Sequence, residues 1–128
     1  MDPLEELTGL IASGHLSEDA LQAMTRIPVD ELHAVLNGAA DVPNRVGLLA
    51  AYLADGLPVD NDERLTAIYE SLTIECRLTP RNLAGLTGID VDVVERFLRD
   101  PQGVSIENRY ALAVKGSYLI NAVNQARA

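Results

Sequence analysis

Few side chains in this sequence are of the types that do chemistry, and none stands at the spacing such chemistry needs. Asp60-Asn61-Asp62-Glu63 gathers oxygen donors as a calcium loop does. It lacks the glycine and the distal glutamate of such a loop, and it reads as a solvated linker and helix cap. His15 and His33 have no cysteine or histidine at ligand spacing and read as surface residues. Cys76 is the only cysteine, which excludes an internal disulfide and a cysteine metal cluster. With no base recognisable nearby, it reads as a half-buried structural thiol. Neither a nucleophile elbow nor a phosphate loop is present in the sequence. The expectation is a protein with no catalytic residue, metal or cofactor, and not an enzyme.

What remains is a set of basic and polar groups suited to phosphate: Arg77, Thr79, Arg81, Arg96, Arg99, Asn108 and Arg109. Most fall within or beside Leu78–Asp100, LTPRNLAGLTGIDVDVVERFLRD, which reads as two short helices around a tight turn. Thr79 caps the first helix and Pro80 takes its first position, where a missing N–H costs nothing. Leu83 and Leu86, three apart, are expected on one inner side. Gly88 supplies a left-handed turn, Ile89 a plug, and Asp90 the cap of the second helix, with Asp92 in its first turn. Val94, Phe97 and Leu98 are its expected inner face. Asp100-Pro101 ends it, because the residue before proline avoids the helical region.

The order of cap, short helix with Ala84, Gly turn, plug, cap and second helix resembles the lambda-repressor-like helix-turn-helix family. Leu78-Thr79, Leu83-Ala84, Thr87-Gly88-Ile89, Val94 and Phe97-Leu98 carry the likeness. The resemblance implies that the second helix enters the major groove of double-stranded DNA with its N-terminal side chains on base edges. Val91, Asp92, Glu95 and Arg96 are then the base-facing positions. Asp and Glu can accept from cytosine and Val can meet a thymine methyl, but two carboxylates repel phosphate. Pro80 also stands where the family often has a glutamine.

Much of this stretch is written twice, 62 residues apart. Residues 16–36 against 78–98 give seven identities, among them Leu21/Leu83, Thr25/Thr87, Ile27/Ile89 and Asp30/Asp92. Asn44-Arg45 matches Asn108-Arg109 if the second copy carries two extra loop residues. In the first copy Arg26 stands where Gly88 does, so either that hairpin crosses at another angle or Arg26 bears strain of about 1 kcal/mol. The expected architecture is all-α: two tandem helix-turn-helix-containing repeats, residues 1–58 and 62–128, packed as one compact unit of about eight or nine helices.

Other helices follow from caps and periodicity. Asp2-Pro3 and Ser17 open the first two, Leu21 and Met24 are expected to point inward, and Ser105 caps the last. Gly116-Ser117 is expected to break that last helix. Tyr118, Leu119, Ala122 and Val123 then form an apolar face and a dimer surface. No apolar run is long enough to span a membrane, and Asp2, Glu5 and Glu6 are the wrong charges for a signal peptide. A reduced, cytoplasmic setting is expected.

The net charge is −9. Residues 1–64 hold three arginines against twelve Asp and Glu, while residues 65–128 hold seven basic against seven acidic residues. Nucleic-acid binding asks for a basic patch somewhere, so the second copy is the one to carry it. Two readings stand. One is a DNA-binding transcriptional regulator acting through the second repeat. The other is a degenerate pair serving protein contacts or oligomerisation, with Glu18, Asp19, Asp30 and Glu31 offered to a basic protein partner. In that reading the arginines form a solvated face salt-bridged with Glu75, Glu95 and Glu107.

Overall fold

The computed structural model describes residues 2–128, and among these eight α-helices and no strand are found. The chain divides into two units, Met1–Val59 and Asp60–Ala128. The first unit holds α1 (Pro3–Ala12), α2 (Glu18–Thr25), α3 (Val29–Leu36) and α4 (Asn44–Ala51), the last prolonged by a π-helical turn, Tyr52–Gly56. The second holds α5 (Asn61–Glu70) with a π-helical turn, Ser71–Glu75, then α6 (Pro80–Thr87) and α7 (Val91–Arg99). A 3₁₀ turn, Pro101–Gly103, leads into α8 (Ile106–Arg127). Within the first unit α1 lies along α4, and within the second α5 lies along α8.

The caps form as residue type requires. Asp2, Ser17, Asp60, Thr79, Asp90 and Ser105 each accept a backbone N–H from the first turn of the helix they precede. At Thr79 the arrangement is reciprocal. Asn82 N donates to Thr79 Oγ1 (3.1 Å), and Thr79 N donates to Asn82 Oδ1 (2.9 Å). That capping box ties down the start of α6.

The two turns are built alike. Thr25 Oγ1 donates to Leu21 O (2.8 Å), and Ile27 N donates to Thr25 Oγ1 (3.4 Å). In the second unit Thr87 Oγ1 donates to Leu83 O (2.6 Å), and Ile89 N donates to Thr87 Oγ1 (3.2 Å). Gly88 takes φ 73°, and Arg26 takes the same left-handed conformation at φ 59°. Arg26 therefore bears the strain, about 1 kcal/mol, and the turn keeps its form. Further upstream, Leu16 N donates to Leu10 O and Leu78 N to Leu72 O, again 62 residues apart.

Each unit has its own core. Leu7, Leu21, Ile27, Leu32, Val46 and Ala50 form the first. The second is built on Leu65, Tyr69, Leu72, Leu83, Val94, Phe97, Val104 and Leu112. Tyr69 sits at its centre: its ring meets Phe97 edge-on at 5.3 Å, and its hydroxyl donates to Leu112 O at 2.7 Å.

The structure corrects several expectations. Met24, Leu86 and Leu98 are exposed, not inward. Helices α2, α6 and α7 are only eight or nine residues long, and each has only two buried positions. α8 is not broken at Gly116-Ser117 but runs unbroken from Ile106 to Arg127. Gly116 serves packing instead. A Cβ there would lie 2.8 Å from Tyr69 Cε2 and 3.0 Å from Tyr69 Oη, so only glycine lets the helix seat on that ring. The Asn44-Arg45 and Asn108-Arg109 pairs are not equivalent. Asn44 opens α4 where Ile106 opens α8, which keeps the spacing of 62 and leaves Asn108-Arg109 two positions further along.

Candidate nucleic-acid interface

Along α7 the buried side chains Val94 and Phe97 fix one face. At 3.6 residues per turn the opposite face holds Asp92, Glu95, Arg96 and Arg99, with Val91 on its flank, and all five are exposed. The sequence-predicted base-facing positions thus share one surface of one helix. On α6, Leu83 and Thr87 are buried, which turns Arg81 outward. Arg77 lies in the preceding loop, exposed, with φ 59°. Thr79 is committed to the capping box.

Among the described residues, Arg77, Arg81, Arg96 and Arg99 make no ion pair. The bridges found are His33–Glu18, Arg109–Asp62 and Arg127–Glu75. The salt-bridged face expected with Glu75, Glu95 and Glu107 therefore does not form. Glu75 is paired to Arg127 at 4.0 Å, and it also accepts from Ser71 Oγ at 2.6 Å. Unpaired, exposed guanidinium groups are what a phosphate contact uses, with no internal partner to displace.

Asn108 and Arg109 separate. Asn108 lines a cleft of about 490 Å³ together with Asp92, Val93 and Arg96 of α7 and residues of the turn before α8. That cleft brings three of the expected contact residues together. Arg109 is half-buried and its Nη1 lies 3.4 Å from Asp62 Oδ1, so it braces α8 to the start of α5. Gln102 Nε2 donates to the other oxygen of Asp62 at 3.2 Å. The acidic run at residues 60–63 thus works as a cap and as a brace for α8.

The same places in the first unit carry no such set. His15, Ser17, Asp19, Ala34 and Asn37 stand where Arg77, Thr79, Arg81, Arg96 and Arg99 do. Glu18, Asp19, Asp30 and Glu31 are exposed there, and the first two line a small cleft of about 170 Å³ with Val29 and His33. Arg45 is spent internally, its Nη1 donating to Thr25 O at 2.7 Å. The expected apolar face on α8 divides: Leu119 and Val123 pack against the core of the second unit, and Tyr118 is exposed.

Among the described residues two ionisable groups are buried, Glu6 and Tyr69, and of these Glu6 was not singled out by sequence reasoning. Glu6 on α1 is buried. Burial, together with a hydrogen bond and repulsion from the Asp55 carboxyl, holds its carboxyl above the ordinary range. Burial pushes the Tyr69 hydroxyl up to about 12. The only sequence signal for Glu6 was its place beside Leu7 on the inner side of α1.

The hairpin of α6 and α7, with its Gly88 turn, is that of a helix-turn-helix protein. The model of a family described as helix-turn-helix domain matches residues 3–128, and the chain belongs to that family. No curated protein and no solved structure matches the chain.

Proposed function

We propose that the second unit binds double-stranded DNA through α7, in the manner of lambda-repressor-like regulators, and that the protein is a transcriptional regulator. The first unit is a diverged duplicate of the same helix-turn-helix. The observation that carries the reading is the set Arg77, Arg81, Arg96 and Arg99, exposed and, among the described residues, free of ion pairs around a helix-turn-helix. Arg81 and Arg77 neutralise phosphates at the start of α6. Arg96 and Arg99 do so along α7, with Val91, Asp92 and Glu95 toward the base edges. Asn108 contacts from the start of α8. Arg109 takes no part in contact: it positions α8 through Asp62.

Four phosphate contacts set the expected salt dependence. The affinity should fall with a log–log slope of about −3.6, roughly 100-fold between 50 and 200 mM salt. Fluorescence anisotropy on mixed-sequence duplex and on duplex from upstream of the protein's own coding region tests this. Saturable binding with that slope, lost in Arg81→Glu and Arg96→Glu, supports the reading. A folded protein that binds no duplex at low salt, or binds equally well in both variants, refutes it.

A second reading is supported by the acidic surface of the first unit, where Asp19 takes the place of Arg81 and no arginine stands opposite Arg77, Arg96 or Arg99. There Glu18, Asp19, Asp30 and Glu31 would meet a basic protein. Neutralising all four should abolish capture of such a partner and leave DNA affinity within about twofold, since rim charges act on the local contact. Partner binding that survives the four changes removes this reading.

A further inference from the structure

Arg109 is incompletely paired. Its Nε is buried and, among the described residues, is the only buried side-chain nitrogen or oxygen without a hydrogen-bond partner. Buried polar atoms are almost always paired, so one that is not calls for an explanation. Arg109 Nη1 reaches Asp62 Oδ1 at 3.4 Å, beyond the range of about 2.7–3.2 Å that a good N–H···O bond keeps. Asp62 thus engages one outer nitrogen only. It does not meet the edge formed by Nε and Nη2, which is an edge that a carboxylate grips with two parallel bonds.

Arg109 also forms part of the wall of a groove of about 450 Å³ between α5 and α8, a size usual for small-molecule sites. Much of the rest is an apolar bed of Leu65, Ile68 and Ala113, with the exposed Ile106 and Tyr110 at its edge. The charged lining is two arginines, Arg64 and Arg109, against Asp62 alone. The groove is therefore net positive on a chain of net charge −9. Asn61 and Ile106, the first residues of α5 and α8, both line it, so the positive ends of two helix dipoles lie beside it.

We infer that this groove binds a small organic carboxylate with an apolar body. The carboxylate accepts from Nε and Nη2 of Arg109, and the body lies along Ile68, Ala113 and Tyr110. The long bond to Asp62 holds the guanidinium weakly, so turning its edge into the groove costs less than a charge-assisted pair returns. The lining selects this class over its neighbours. An inorganic anion leaves the apolar bed uncovered, a neutral ligand leaves the arginines unmatched, and a cation is repelled.

The inference is independent of DNA binding and is tested without DNA. The full chain, labelled with nitrogen-15, is titrated with benzoate and with octanoate. At least one acid should shift the Arg109 Nε–H resonance and the Tyr110 and Ala113 amides saturably, with a dissociation constant of about 1 mM or tighter. Arg109→Gln should weaken binding at least about tenfold. Because that variant also loses the brace to Asp62, Ser117→Trp provides a second test. Ser117 is exposed on the groove wall, so the indole fills the groove without entering the core, and binding should again fall at least about tenfold with an unchanged helical circular-dichroism spectrum. Benzamide, which has the shape of benzoate without its charge, and inorganic phosphate should each bind at least about tenfold more weakly than the better acid. A folded chain that binds neither acid at about 20 mM, or an affinity unchanged in Ser117→Trp, overturns the site. Benzamide or phosphate binding as tightly as the acids overturns the ligand class.

Discussion

Replacing Gly116 by alanine should destabilise the second unit, whereas the same change at Gly85 should stabilise it. Both glycines lie inside helices, so each substitution gains about 1 kcal/mol of helix propensity. They differ in what the new methyl meets. At Gly85 nothing lies within 4 Å. At Gly116 the Cβ falls 2.8 Å from Tyr69 Cε2 and 3.0 Å from its Cζ and Oη. Carbon atoms settle at about 3.5–4.0 Å, so the ring must retreat by roughly 0.7 Å. It has little freedom to do so: Tyr69 is almost wholly buried, edge-on to Phe97 and hydrogen-bonded to Leu112 O. Overpacking of this kind costs about 1–3 kcal/mol, and losing the hydroxyl bond adds about 1 kcal/mol. After the propensity gain, the net loss for Gly116→Ala is about 1–3 kcal/mol, or very roughly 4–20 °C in Tm for a unit of this size. Urea titrations followed by circular dichroism at 222 nm measure both variants. Tyr69→Leu/Gly116→Ala should lose less than the sum of its singles, because the smaller side chain vacates the contested space. A Gly116→Ala protein as stable as wild type would refute the packing argument for this glycine.

Other outcomes follow from the same structure. Arg26→Gly should stabilise the first unit by about 1 kcal/mol, because the left-handed backbone at φ 59° is free of strain only for glycine; a thermal melt reads it as a raised Tm. Glu6 holds its proton more tightly when folded, so the first unit should lose stability as pH rises from about 4.5 through the elevated value, and Glu6→Gln should flatten that slope in melts taken across this range. Tyr69 ionises near 12 when folded and near 10 when unfolded, so stability is intact below pH 10 and lost as pH climbs toward 12. In Tyr69→Phe that alkaline loss should shrink, visible as a later onset of base unfolding.

The helical hairpins were legible because their signals are local. Caps, prolines, the Gly88 turn and the inner positions Leu83, Val94 and Phe97 are set by neighbours within a turn or two, and the structure places them as read. Leu86, Leu98 and Met24 misled because apolar periodicity does not say how wide a short helix's buried stripe is. Gly116 misled for another reason. Its purpose lies in Tyr69, 47 residues away, and no local pattern carries that. Arg109 is a similar case, since its partner Asp62 stands at the far end of the unit's chain. Of the candidate interface, the outer face of α7 could be read from periodicity. The lack of ion pairs at Arg77, Arg81, Arg96 and Arg99 could not, because it depends on where Glu75 and Arg127 meet.

The π-helical turns bear on how such a chain can change length over evolutionary time. A π turn holds one residue more than an α turn, and it does so without rotating the residues on either side out of phase. Ser71–Glu75 sits directly below Tyr69, whose carbonyl accepts from Thr73 Oγ1 at 2.8 Å. An insertion elsewhere in α5 would swing every later side chain by about 100° and carry Leu72 out of the core. Within the wide turn a residue can be lost and the helix simply tightens. Shortening the chain by Thr73 should therefore preserve the fold, while shortening it by Thr66, seven residues earlier in the regular part of α5, should abolish it. The two wide turns mark the places where this helical architecture tolerates a change of one residue in length.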